Sequence, residues 1–288
     1  MQYTTEVLVD GLGFPEGPRW HNDRLWFTDQ QLNKVLAVDM NGRLEEIADV
    51  PGSPSGLGWL PDGRMLVVSM KDQLLLRLDP DGLVIVADLS DLASYTCNDL
   101  VVDREGNAYV GNFGYEIGDP QAEPRFAEII LVRPSGEAGI VARGMAFPNG
   151  MVITPDDATL IVAESSAARL TAFTITLEGF LVERRIWAEF DKRGLVVDQD
   201  RIIPDGICLD TKGGIWVASP GKPGGVMRVL EGGEITDSVA VEYQAFAAML
   251  GGPDGKTLFV CTSTFDDRLG VVGRIDKTTV EYPHAGLP

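Results

Sequence analysis

Histidine is nearly absent. His21 and His284 are the only two in 288 residues, and neither lies beside a Gly-x-Ser-x-Gly or other nucleophile signature. A Ser-His-Asp hydrolase is therefore disfavoured, and so are metal sites built on imidazole. Cysteine is as scarce: Cys97, Cys208 and Cys261 are far apart, odd in number and without a C-x-x-C pair. Reduced, buried thiols are the expectation, in a cytoplasmic setting. Positive charge is in short supply too, with 24 Lys+Arg against 43 Asp+Glu and a net charge of −19. Such a surface repels phosphate, so nucleic acid and anionic membranes are excluded as expected partners. No apolar run approaches the roughly 18 residues of a membrane span, and Met1–Glu6 lacks a basic segment followed by an apolar one. No stretch holds a sustained helical period either.

What the chain has instead is repetition. A short β-rich run recurs as Leu25-Trp26-Phe27-Thr28, Met65-Leu66-Val67-Val68-Ser69, Ala108-Tyr109-Val110-Gly111, Leu160-Ile161-Val162-Ala163, Ile215-Trp216-Val217-Ala218 and Leu258-Phe259-Val260-Cys261. Each copy follows a turn pair that tolerates positive φ: Asn22-Asp23, Asp62-Gly63, Glu105-Gly106, Asp156-Asp157, Gly213-Gly214 and Asp254-Gly255. A second set of Gly-containing pairs follows in five copies, whereas the sixth has Lys277-Thr278 at that position. Six repeats of about 48 residues, each with four strands and hairpin turns, predict an all-β fold: one six-bladed β-propeller domain over residues 1–288, four antiparallel strands per blade. Glu6–Leu12 resembles a fourth run without the preceding three, so it is expected to complete the last blade and close the ring.

Aligned on these turns, one position just ahead of each first strand comes into register. It reads Glu16, Ser55, Asn98, Asn149, Asp205 and Ala247. The first strand of a propeller blade lines the central channel, so these residues form a ring about one axis. Four of them offer carboxylate or carboxamide oxygens, an arrangement that needs a compensating positive charge. Read singly, Asn-Gly and Asp-Gly are ordinary turn residues. In register they predict a divalent cation held by Glu16, Asn98, Asn149 and Asp205. The oxygen donors favour Ca²⁺, with Mg²⁺, Mn²⁺, Zn²⁺ or Fe²⁺ as alternatives.

The segments Phe14-Pro15-Glu16-Gly17-Pro18-Arg19-Trp20, Asn98-Asp99, Phe147-Pro148-Asn149-Gly150 and Pro204-Asp205-Gly206 together resemble the senescence marker protein, gluconolactonase and luciferin-regenerating enzyme family over essentially the whole chain. The resemblance implies metal ligation by Glu16, Asn149 and Asp205, a ligand or substrate contact by Asn98, acid/base work by Asp205, and lactone hydrolysis. Sugar-lactone members carry Arg two residues before the equivalent of Asn98, where this chain has Thr96, and they read Asn-Asp-Gly where this chain has Leu100. A missing guanidinium removes a strong donor to sugar hydroxyls, which points to a substrate more apolar than a sugar lactone. Loops over 112–126, 189–204 and 262–270 are expected above the ring, and Met70, Thr96, Tyr115 and Phe265 are the candidate substrate contacts. A phosphotriesterase on the same metal site and a non-catalytic binding scaffold with a structural cation are the competing readings. The expected partner is a small molecule, and the expected state a monomer or weak homo-oligomer.

Overall fold

The computed structural model describes residues 1–119, 121–193 and 199–288. It is a six-bladed β-propeller of antiparallel four-stranded sheets. The inner strands of blades 1 to 6 are Pro15–His21, Pro54–Trp59, Cys97–Val102, Pro148–Ile153, Ile207–Asp210 and Gln244–Gly251. All start at one end of the channel, here called upper. The second strands are buried along nearly their whole length, because each blade is sandwiched between two neighbours. That is why they read as continuous apolar runs rather than as alternating ones. Outer strands such as Leu44–Asp49 face solvent and carry the acidic residues.

The hairpin turns behave as their residues require: Asn22, Asp23 and Asp157, with Gly63, Gly106, Gly213 and Gly255, sit at positive φ. Glu6–Leu12 pairs antiparallel with Gly270–Thr279 and becomes the outer strand of blade 6. This explains the missing glycine there. Lys277 and Thr278 lie inside a strand, and no turn is needed because the fourth strand arrives from the other end of the chain. Blade 5 gains two short additions, Gln2–Thr4 on its outer edge and His284–Ala285 beside its inner strand. Leu287 then bridges to Ile153 of blade 4, so the last residues cross the lower mouth of the channel. All three cysteines are free and buried, and burial raises their thiol pKa values, that of Cys97 to about 12. No described helix is long and apolar enough to cross a membrane.

Candidate active site at the upper mouth

The ring residues sit where the backbone leaves strict pleating. Pairing of the inner with the second strand shifts register between Glu16 and Arg19, Pro54 and Leu57, Cys97 and Leu100, and Pro148 and Met151. A bulge lets a side chain be aimed off the alternating pattern, here toward the axis. Glu16, Ser55, Asn98 and Asn149 therefore lie within the first strands rather than ahead of them. Asp205 lies just before its strand, held by Asp205 N–H to the Ala218 carbonyl at 3.0 Å and Ala218 N–H to the Gly206 carbonyl at 3.1 Å. The glycine after a ring residue has a packing reason. A Cβ on Gly150 would stand 2.6 Å from the Ile207 nitrogen, and one on Gly206 2.4 Å from the Ala247 Cβ. Only glycine lets neighbouring inner strands approach this closely.

Where blades 1, 2, 4 and 5 have that glycine and blade 6 has Ala248, blade 3 places Asp99. Its Oδ1 accepts from Arg19 Nη2 at 2.7 Å and from Leu100 N–H at 2.8 Å, and Arg19 and Asp99 form an almost fully buried ion pair. Both residues lie in the motif segments, but the sequence assigned neither a role, since the signal for their pairing is only an Asp in a glycine position. Glu16, Asp99 and Asp205 lie within mutual electrostatic reach. Glu16 is enclosed by protein but keeps some solvent access from the channel. Desolvation raises its pKa to about 8, with Asp99 adding to the rise while Gly17 N–H and Arg19 oppose it. Asp205 is buried, and desolvation followed by the charges of Glu16 and Asp99 holds its carboxyl well above the usual range.

Asn149 hydrogen-bonds the Asp205 carboxyl, and its Nδ2 donates to Ser165 Oγ at 3.2 Å. Ser165 Oγ in turn donates to the Pro204 carbonyl at 2.7 Å. Ser55 Oγ donates to Asn98 Oδ1 at 3.2 Å, leaving the buried Asn98 Nδ2 without a partner among the described residues. Turning that amide over lets Nδ2 donate to Ser55 and presents Oδ1 to the channel. These observations fit a divalent cation: buried carboxyls that repel one another, two amide groups beside them, and only oxygen donors. Among the described residues no group of three His, Cys, Asp or Glu side chains is disposed to hold a metal ion, so an ion here would depend on the amide oxygens beside the two carboxyls.

A cavity of about 630 Å³ opens on the same face, lined by Met70, Thr96, Phe113 and Ile117 together with Gln30 and Lys71. It gathers two of the four expected substrate contacts. Tyr115 is half-buried outside this lining, and Phe265 is 71% exposed. The reason for the latter is that 262–270 is mostly not a loop: Thr257–Asp266 and Gly270–Thr279 stay paired up to Asp266 and Gly270, carrying Phe265 out along a hairpin. The 112–126 and 189–204 loops include residue 120 and residues 194–198, which lie outside the described residues. Phe14, Phe147 and Phe246 stand just ahead of ring positions: Phe14 pairs with Phe246 at a centroid distance of 4.6 Å and ties blade 1 to 6, and Phe147 pairs at 4.5 Å with Phe113, which follows the second strand of blade 3, and ties blade 3 to 4.

Residues 14–264 match the family model described as "SMP-30/Gluconolactonase/LRE-like region". A gluconolactonase of Zymomonas mobilis is 24% identical over 285 residues, covering 90% of this chain and 78% of that protein. The pentonolactonase XacC of Haloferax volcanii is 22% identical over 277 residues, covering 96% and 90%. Among solved structures, a calcium-binding protein, regucalcin, from Agrobacterium tumefaciens superposes with a TM-score of 0.79 at 21% identity, covering 100% of this chain and 98% of that one. By its propeller, its ring motifs and this match over most of its length, the chain belongs to the SMP-30/gluconolactonase/LRE-like family.

Proposed function

We propose that this protein is a divalent-metal-dependent lactonase whose site is the upper-mouth ring. The observation that supports this most is the convergence of Glu16 and Asp205 with Asn98 and Asn149 at one end of the channel, in a setting where burial and mutual repulsion disfavour two negative charges without a cation. The names of the gluconolactonase and pentonolactonase relatives support the reaction class. Glu16, Asn149 and Asp205 would hold the ion, with Asn98 as a fourth ligand or a substrate contact, and Ca²⁺ suits the donors best. When bound, the ion supplies positive charge that polarises the lactone carbonyl and offsets the ring carboxylates. Asp205 takes a proton from the attacking water as its oxygen bonds to the carbonyl carbon. It returns that proton to the ring oxygen when the C–O bond breaks, yielding the hydroxy acid. Asn149, anchored through Ser165, keeps the Asp205 carboxyl oriented.

Thr96 in place of a guanidinium supports a lactone whose body is more apolar than a sugar; the cavity offers it Met70, Phe113 and Ile117 as apolar walls in a lining that is otherwise mostly polar, with Gln31, Asn33, Ser53 and Glu116. Gln30 and Lys71 meet its polar edge. Metal analysis of the purified protein with a panel of aliphatic, aryl and sugar lactones and phosphotriesters tests the reading. Stoichiometric divalent metal and chelator-sensitive opening of aliphatic or aryl lactones are expected. A strong preference for sugar lactones would remove the substrate class, faster phosphotriester turnover would replace the reaction, and metal without any turnover would leave a scaffold.

A further inference from the structure

The chain's two histidines meet at the end of the channel opposite the oxygen ring. Pro15–His21 starts beside Glu16 and ends at His21, five residues or about 16 Å farther on. There a cavity of about 260 Å³ is lined by Arg19, Trp20, His21, Trp59, His284 and Leu287. Its aromatic walls are fixed by their own contacts. His21 stacks on Trp59 at 4.1 Å and 11°, Trp59 meets Trp26 edge-on at 5.6 Å, and Trp20 stacks on Phe259 at 5.5 Å. Arg19 closes the inner side, but its guanidinium is committed to Asp99 and to the carbonyls of Pro18, Leu57 and Leu100. It offers no free charge to an anion.

One side-chain polar atom of this lining is buried without a partner among the described residues. The His284 ring hydrogen-bonds the Pro288 backbone, while its buried Nε2 has no partner among the described residues. That bond therefore engages Nδ1, and because burial lowers the pKa, the ring is neutral at neutral pH. A neutral imidazole whose Nδ1–H donates has Nε2 as an acceptor, and a buried acceptor left unmatched is unfavourable. An apolar cavity of about 150 Å³ already accepts benzene, so this one holds a single or fused aromatic ring.

We propose that the lower-mouth cavity is a second ligand site, distinct from the oxygen ring, that takes a small neutral aromatic molecule with one O–H or N–H donor. The ring lies among Trp20, Trp59 and Leu287, and the donor rests on His284 Nε2. The experiment uses the full chain and a matched pair of probes, 4-fluorophenol and 4-fluorotoluene, followed by ¹⁹F NMR. Saturable binding of 4-fluorophenol at a Kd on the order of 1 mM or below is expected, with 4-fluorotoluene about tenfold weaker for want of the donor. His284→Leu should bring the two probes within about twofold, and Trp59→Leu should weaken both. Where a variant fails to fold, the wild-type His284 ¹⁵Nε2 resonance decides: it moves with 4-fluorophenol and stays with 4-fluorotoluene. Non-saturable binding, equal affinities in the wild type, or an unmoved Nε2 resonance would overturn the site. Binding is read without turnover, so the outcome is independent of the lactonase proposal.

Discussion

The two mouths of one channel are built from the same six strands yet have opposite chemistry. The upper mouth collects Glu16, Asp99 and Asp205 with the amides of Asn98 and Asn149, and desolvation drives the pKa values of Glu16 and Asp205 upward. The lower mouth collects Trp20, His21, Trp59 and His284, and desolvation drives the imidazole pKa values downward. In both, burial disfavours the charged form. At the upper mouth oxygen donors and residual negative charge make a cation the natural complement, whereas at the lower mouth neutral rings with one buried, unpartnered acceptor call for a neutral partner. Arg19 is the physical divider: it belongs to the lower cavity lining and neutralises Asp99 of the upper group.

The contrast can be broken experimentally. The largest effect is expected from Asp205→Asn: kcat for lactone opening should fall about 10²- to 10⁴-fold, while the lower-mouth probes bind as in the wild type. Near-normal turnover with metal still bound would end the base assignment. Next, removing divalent metal should abolish turnover and lower Tm. Restoring Ca²⁺ at about a thousand times its Kd should return about 4 kcal/mol of stability, and calorimetry would show a much smaller return in Glu16→Gln. A third prediction concerns pH. An acid with a raised folded-state pKa retains a proton that the unfolded chain has released, so stability falls as pH rises between the two values. For Glu16 that window runs from 4.5 to about 8. The metal-free protein should lose Tm across it, and Glu16→Gln should flatten the loss; a Tm that is constant or rising over that range contradicts the assignment. A smaller change is expected from Thr96→Arg, which should shift kcat/KM toward sugar lactones by roughly tenfold. Smallest of all, Trp59→Leu should leave kcat within about twofold, whereas a collapse of lactone turnover would mean that the two mouths are not separate.

Much of the upper mouth could be read from residue order because each blade repeats it. Glu16, Asn98, Asn149 and Asp205 occupy equivalent positions, and the repeated turns set their register. Asp99 and Arg19 escaped that reading because their pairing crosses 80 residues of sequence. Ser165 escaped because it acts through Asn149 and the Pro204 carbonyl rather than through any motif. The 262–270 segment departs from the expected loop for another reason. Residues 262–270 contain no strong β-breaker before Asp266, so the hairpin extends and carries the Phe265 ring into solvent. The lower cavity had no sequence signal, since His21 and His284 are 263 residues apart and meet only when the final segment crosses the channel.

The order of residues along the chain sufficed for the six blades, the closure by Glu6–Leu12 and the polar ring, because these depend on local turn chemistry, strand alternation and repetition. Charge coupling among Glu16, Asp99 and Asp205, the separation of the two mouths by Arg19, and the isolation of His284 Nε2 emerge only on folding. They depend on distances between blades and on exclusion of water, quantities that exist only once the ring has closed.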